Sequence, residues 1–169
     1  MSKRKQFMEL YKPVHGSFER FCKARSYGVC DFNDLMHDTL VIAFERFEGL
    51  KNKEAFLYFL FSIANKVHAN FRRKSKTQSF SDVKGIDNTP DANFSIEKKI
   101  QHDELYEALN LLTEEYRNCL ILFEIAGFSI KETAAIQECS TDAVKQRLSR
   151  GRKMLAAALT EKTTKTIVS

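Results

Sequence analysis

One stretch limits what this chain can fold into more than any other. Residues 129–153, SIKETAAIQECSTDAVKQRLSRGRK, carry the pattern of a helix, a tight turn and a second, basic helix. Ser129 followed by Glu132 is a capping box, in which the serine oxygen takes an orphan backbone N–H and the glutamate reaches back. It starts a short helix to about Gln137, and Glu138, Cys139 and Ser140 leave room only for the three- to four-residue turn of a helix-turn-helix. Ser140 caps the next helix, with Asp142 in its first turn, where the macrodipole favours a carboxylate. Val144, Leu148 and Leu155 then form one buried stripe, and Lys145, Arg147, Arg150, Arg152 and Lys153 fill the remaining arc without an acid among them. One apolar seam and one acid-free basic face suit a groove lined with phosphates. A merely solvated cationic face has the same pattern, so the rest of the chain must decide.

Composition narrows the class. Twenty-seven basic against 22 acidic residues give +5 overall, a modest excess whose distribution matters more than its sum. Glycine (6) and proline (2) are scarce, which disfavours a turn-rich β fold and favours helices. Cys22, Cys30, Cys119 and Cys139 show no CxxC spacing, and His15, His37, His68 and His102 are scattered. They point to thiols of a reducing compartment and to no metal site or cofactor. No apolar run approaches the ~18–20 residues of a membrane span. The basic start MSKRKQFMEL lacks the apolar core of a signal peptide, so a cytoplasmic protein without membrane insertion is expected.

The remaining segments read as helices. Phe7, Leu10, Tyr11, Val14, Phe18 and Phe21 keep helical spacing, with Pro13 and Gly16 predicting a kink or split. Asp31 caps a second helix with Met36, Leu40, Ala43 or Phe44, and Phe47 inward; Gly49 stops it, and 48–53 form a short polar loop. A third, longer helix over about 54–76 carries the stripe Phe56, Leu60, Ile63, Val67 and Phe71. Its end gathers Lys66, His68, Asn70, Arg72, Arg73, Lys74 and Lys76 into a second acid-free basic patch. Tyr58 and Phe59, with Phe61 on one reading, fall toward the edge of the stripe or outside it, where exposed rings can stack unpaired bases at ~1–3 kcal/mol each; the other reading places all five rings, Phe56, Tyr58, Phe59, Phe61 and Phe71, in the core.

Residues 77–97 lack periodicity and read as a linker. A second helical unit follows, with Ile100, Leu105, Leu109 and Leu112 on one face. Thr113 caps the next helix, and Gly127 stops it. The tail from Thr160 is expected to fray. The fold class is all-α: two small helical domains, 1–76 and 98–160, joined by a flexible linker at 77–97 and followed by a tail at 161–169. Two basic helices on a tether suggest contact with two places along one nucleic acid. The sequence has no glycine-rich phosphate loop, no G-x-S-x-G and no pair of acids flanked by a ligand histidine, so no enzyme is read here. Asp34 and Asp38 on one helix face read as a partner-binding surface.

This order of parts resembles the bacterial sigma-70 superfamily of RNA polymerase sigma factors, in the small extracytoplasmic-function (ECF) group. Asp34-Leu35-Met36-His37-Asp38 is similar to the family's D-L-x-Q-[DE]. Phe56 and Phe59-Leu60-Phe61-Ser62-Ile63-Ala64, ending in Phe71-Arg72-Arg73-Lys74, are similar to F-x-x-W-L-[FY]-x-I-A and its basic end. Val144-Lys145-Gln146-Arg147-Leu148-Ser149-Arg150-Gly151-Arg152 is similar to the V-K-S-R-L-x-R-A-R run of the helix that reads the −35 element. The chain departs at His37 for glutamine, Phe59 for tryptophan, Thr113 for proline, Glu138 for a frequent turn glycine, and Asp142-Ala143 for a frequent Gly-Thr.

The resemblance implies a region 2 three-helix bundle and a region 4 helix-turn-helix, winged-helix-like. It implies that Asp34, Leu35, His37 and Asp38 dock on the largest subunits of core RNA polymerase. Asn52, Phe59, Lys66, Asn70, Arg72, Arg73 and Lys74 would take the −10 element as single-stranded promoter DNA. Thr141, Asp142, Lys145, Gln146, Ser149 and Arg150 would read the double-stranded −35 element. An anti-sigma factor is a further implied partner. The rival readings are a helix-turn-helix regulator of another kind, which would need a strand-rich receiver, and a helical adaptor that binds no DNA.

Overall fold

The computed structural model describes the backbone of residues 2–77 and 96–168 and the side chains of residues 2–76 and 102–161. The linker expected at 77–97 lies outside the described residues, apart from Thr77, Ile96 and Glu97 at its ends. The first unit holds α1 (Lys3–Tyr11), a 3₁₀ turn (Lys12–Val14), α2 (His15–Ser26), α3 (Phe32–Arg46) and α4 (Lys53–Thr77). The split that Pro13 predicts is this 3₁₀ turn, where the missing proline N–H is tolerated near a helix start. Asp31 caps α3 through Oδ1, which accepts from the Asn33 N–H at 2.7 Å. Phe7 gathers the first core, with its ring edge-on to Phe44, Phe47 and Phe56 at centroid distances of 5.6, 5.4 and 5.6 Å.

The second unit holds α5 (Ile96–Asn110), α6 (Glu114–Leu120), a π-helical turn (Ile121–Ile125), α7 (Ile130–Gln137) and α8 (Thr141–Val168). Thr113 stands at the cap of α6 but makes no capping bond; Glu114 and Glu115 in the first turn complement the dipole there. Gly127, at φ +84°, ends the segment, and α8 packs on α5, α6 and α7. Gly151 lies in the middle of α8, where a Cβ would come within 3.2 Å of Leu120 Cδ1, so its bare backbone lets α8 approach α6 closely. The helix continues through the segment expected to fray, reaching Val168. Among the described residues there is no strand, so the helix-turn-helix carries no strand wing there.

The two units are not simply tethered. They share one buried core, in which α4 packs against α3 on one side and α7 on the other. This decides the place of Phe61, which periodicity leaves between the edge of its stripe and the core. Phe61 is fully buried, 4.7 Å from Phe21, 5.5 Å from Phe18 and 5.4 Å from Phe128 of the second unit. Leu57 and Ala64 are buried with it, so α4 has a second apolar stripe, and α4 packs on α7 of the other unit. Periodicity read one stripe because the partner for the second lies more than sixty positions further along the chain.

The turn between α7 and α8 is a Schellman motif: the Cys139 N–H reaches the Ala134 carbonyl and the Glu138 N–H the Ala135 carbonyl. Glu138 occupies its left-handed position at φ 51°, the one non-glycine residue with positive φ among the described residues. An L side chain there costs about 1 kcal/mol relative to glycine. Glu138→Gly should therefore raise the thermal midpoint by about 2–4 °C. Scanning calorimetry checks it, and a lowered midpoint would show that the Glu138 side chain stabilises the turn more than its backbone strains it.

Candidate nucleic-acid interface

The helix-turn-helix is built from its caps. Ser129 Oγ accepts from the Glu132 N–H at 3.0 Å, and Glu132 Oε1 accepts from the Ser129 N–H at 3.2 Å, closing the predicted capping box. Burial by itself would raise the Glu132 carboxyl, but the Ser129 hydrogen bonds and then Lys53 outweigh it and hold it below its usual value. Ser140 Oγ accepts from the Ala143 N–H at 3.0 Å and starts α8. Val144 and Leu148 are buried beside Gly151, which fixes the rotation of the helix. That rotation turns Thr141, Asp142, Lys145, Gln146, Ser149 and Arg150 outward together, all six exposed on one face.

Two cations of the predicted arc are engaged elsewhere. Arg147 pairs with Glu115 Oε1 at 2.7 Å and donates to Gln137 Oε1 at 3.1 Å and to Cys139 Sγ at 3.2 Å. It ties α8 to α6 and to the turn. Arg152 donates to Glu124 Oε1 at 2.8 Å and lies over the Phe123 ring. The basic character of the outward face therefore comes from Lys145, Arg150 and Lys153 rather than from all five cations.

In the first unit, Asp34, His37 and Asp38 are exposed on α3, with Val41 beside them at 42% exposure. Leu35 is a correction: it is fully buried, because the helix turns it under that face into the core, so it supports the surface without presenting itself to a partner. Asn52 is exposed, and its Oδ1 accepts from the Glu54 N–H at 3.0 Å, capping α4. Phe59 is half-buried and tilted against Phe56. Tyr58, noted in the sequence but not assigned a contact, is the more exposed ring at 38%. Lys66, Asn70, Arg72, Arg73 and Lys74 line the outer side of α4, with Arg73 donating to Asn70 Oδ1.

His68 does not join that patch. It is buried, with Nδ1 3.2 Å from Arg25 Nη2, and the same Arg25 nitrogen pairs with Glu114 Oε1 of the second unit at 3.1 Å. Burial, followed by the charge of Arg25, holds His68 down at about 4. Burial, followed by Arg117, brings Arg25 down to about 10. The halves are further joined by Arg20, whose Nε and Nη2 donate to the carbonyls of Ile125 and Ala126 at 3.1 and 2.9 Å. A cavity of about 340 Å³ lies along this seam, lined by Phe61 and Asn65 from α4 and by Asn118, Ile136 and Arg147 from the second unit.

The comparisons with known proteins agree with this geometry. A family model for sigma-70, region 4 matches residues 102–155. The chain is 28% identical over 131 residues to the ECF RNA polymerase sigma factor EcfG of Rhodopseudomonas palustris, covering 75% of this chain and 70% of that protein. It is 29% identical over 165 residues to the ECF RNA polymerase sigma factor SigX of Bacillus subtilis, covering 88% and 81%. Among solved structures, the sigma factor RpoE in complex with the anti-sigma factor NepR from Bartonella quintana superposes with a TM-score of 0.64 at 25% identity, over 92% of this chain and 98% of that one. CnrH, in complex with the cytosolic domain of CnrY, shares the fold with a TM-score of 0.62 at 24% identity, over 92% and 88%.

Buried His68 makes stability depend on pH. Its folded value lies below the ordinary 6.5, so its contribution is full above about pH 6.5 and declines as pH falls toward about 4. The loss amounts to at most about 3 kcal/mol. Chemical denaturation at pH 7 and pH 4.5 should show a steeper decline for the wild type than for His68→Gln, and equal declines would place the titration elsewhere.

Proposed function

We propose that this chain, a member of the ECF group of the sigma-70 family, is a sigma factor that binds core RNA polymerase and directs promoter-specific initiation of transcription. The observation that carries the reading of DNA is the outward face of α8, six exposed polar side chains held in register by Val144, Leu148 and Gly151. Thr141, Asp142, Lys145, Gln146, Ser149 and Arg150 read base edges and phosphates of the −35 element. Edge contacts discriminate by ~1–3 kcal/mol each, and phosphate contacts fix register. Asp34, His37 and Asp38 form the docking surface for the polymerase, with Leu35 as its buried support. Asn52 and Phe59 take unpaired bases of the −10 element, while Lys66, Asn70, Arg72, Arg73 and Lys74 follow its backbone. Ring stacking at ~1–3 kcal/mol offsets part of the few kcal/mol that extrusion of a base costs.

The chain has no reaction of its own in this scheme; the chemistry belongs to the polymerase. It works in the cytoplasm with that enzyme, and among the described residues no helix is long and apolar enough to cross a membrane. An anti-sigma factor is its regulatory partner, by likeness to the RpoE complex with NepR.

Lys145→Ala combined with Arg150→Ala should lower promoter-specific run-off transcription at least about tenfold, the equivalent of 1.4 kcal/mol, and leave the affinity for core polymerase unchanged. Loss of core binding in that variant would overturn the division of labour. Phe59→Ala should still form the closed promoter complex but give weaker permanganate reactivity at the −10 element. Wild-type reactivity would remove Phe59 from strand capture.

A further inference from the structure

Arg25 of α2 is almost fully buried, which is rare for an arginine that is not fully paired. Its Nη2 serves both His68 Nδ1 and Glu114 Oε1, at 3.2 and 3.1 Å. A guanidinium has no acceptor, so the neutral imidazole accepts at Nδ1 and carries its proton on Nε2. That Nε2–H, the Nε–H of Arg25 and the Nε–H of Arg117 are all buried without a hydrogen-bond partner. The three orphans are all donors. The charges of Arg117 and Arg72 act on both Arg25 and His68, which puts the four side chains within electrostatic reach of one another. Glu114, largely exposed, is the one carboxylate acting on Arg25 and Arg117 among the described residues. Three guanidiniums against that single carboxylate leave a net charge of +2.

We propose that Arg25, His68, Arg72 and Arg117 form a binding site for a small tetrahedral dianion, inorganic phosphate or the terminal phosphate of a small ester, with the Glu114 carboxylate standing in its place. A dianion matches the excess charge of the cluster, and its several oxygens can accept from all three orphan donors at once. Arginine is suited to this task, because its fixed fork of donors fits the oxygens of a phosphate. Chloride has the wrong charge and no directed acceptors. A phosphodiester carries one charge and a substituent on two sides, so it fits buried donors less well than a terminal phosphate does. Glu114 reaches the cluster by a single oxygen from an exposed position, so an incoming anion can displace it without uncovering Arg25. Arg72 alone also belongs to the DNA path proposed above, and the site stands without that reading.

Thermal unfolding of the full chain, with inorganic phosphate titrated against sodium chloride at matched ionic strength, tests the site. At about ten times its dissociation constant, phosphate should raise the midpoint by about 3–5 °C beyond chloride. Arg25→Gln should lose that increment, and so should Arg117→Gln, a milder change at a half-buried position that decides the matter if Arg25→Gln does not fold. Glu114→Gln should bind phosphate about two- to fivefold more tightly, because the competing carboxylate is gone. A nucleoside monophosphate run in parallel separates the sources of the group: a shift with phosphate alone assigns the free ion, and a shift with both assigns an ester. No increment over chloride in the wild type, an undiminished increment in Arg117→Gln, or weaker phosphate binding by Glu114→Gln would reduce the cluster to an ion pair between the units. An Arg25-dependent shift with a single-stranded oligonucleotide and none with phosphate would overturn the proposal in favour of nucleic acid.

Discussion

The rest of the structure depends on the burial of Phe61. Its ring fills the space between Phe18 and Phe21 of α2 and meets Phe128 of the second unit edge-on. Burying a phenylalanine contributes about 1.5–3 kcal/mol, and aromatic pairs add about 0.5–1.5 kcal/mol when their geometry is favourable. Without the second unit, Phe61 would lose its contact with Phe128 and keep only those with Phe18 and Phe21. The seam is thus apolar at its centre and charged at its rim, where Arg20, Arg25, Lys53 and Lys131 reach carbonyls and carboxylates across it.

That layering separates two kinds of stability. The apolar centre is insensitive to salt, whereas the rim pairs are exposed on at least one side and weaken as ions screen them. Arg25 is the exception, because its guanidinium is almost fully buried while its partner Glu114 stays largely exposed. Such an asymmetric pair brings more desolvation than attraction, consistent with the downward displacement of Arg25 and with the neutral imidazole of His68 beside it. The polar seam acts less as glue than as a constraint on how the halves can meet.

The two surfaces proposed to meet DNA are built by different means. On α8 a rigid helix is rotated into place by Val144 and Leu148, with Gly151 bringing it close to α6, and Arg147 braces its flank through Glu115 and Gln137. On α4 the cations lie along an exposed ridge, while the Phe59 ring is half-buried.

The local grammar of the chain was readable in advance. The capping box at Ser129 and Glu132, the Asp31 and Ser140 caps, the break at Pro13 and the outward set on α8 all depend on residues within about one helical turn of each other. So did the departure at Glu138, whose left-handed backbone follows from the turn that the flanking helices demand. What the sequence could not reveal involves partners distant along the chain. Leu35 looked available until the rotation of α3 was known, His68 looked cationic until Arg25 closed over it, and Phe61 looked peripheral until Phe128 met it. Periodicity by itself located the helices and one of the two apolar stripes of α4. Only the tertiary structure decided which apolar face meets which, because burial and desolvation belong to pairs of elements and not to any one of them.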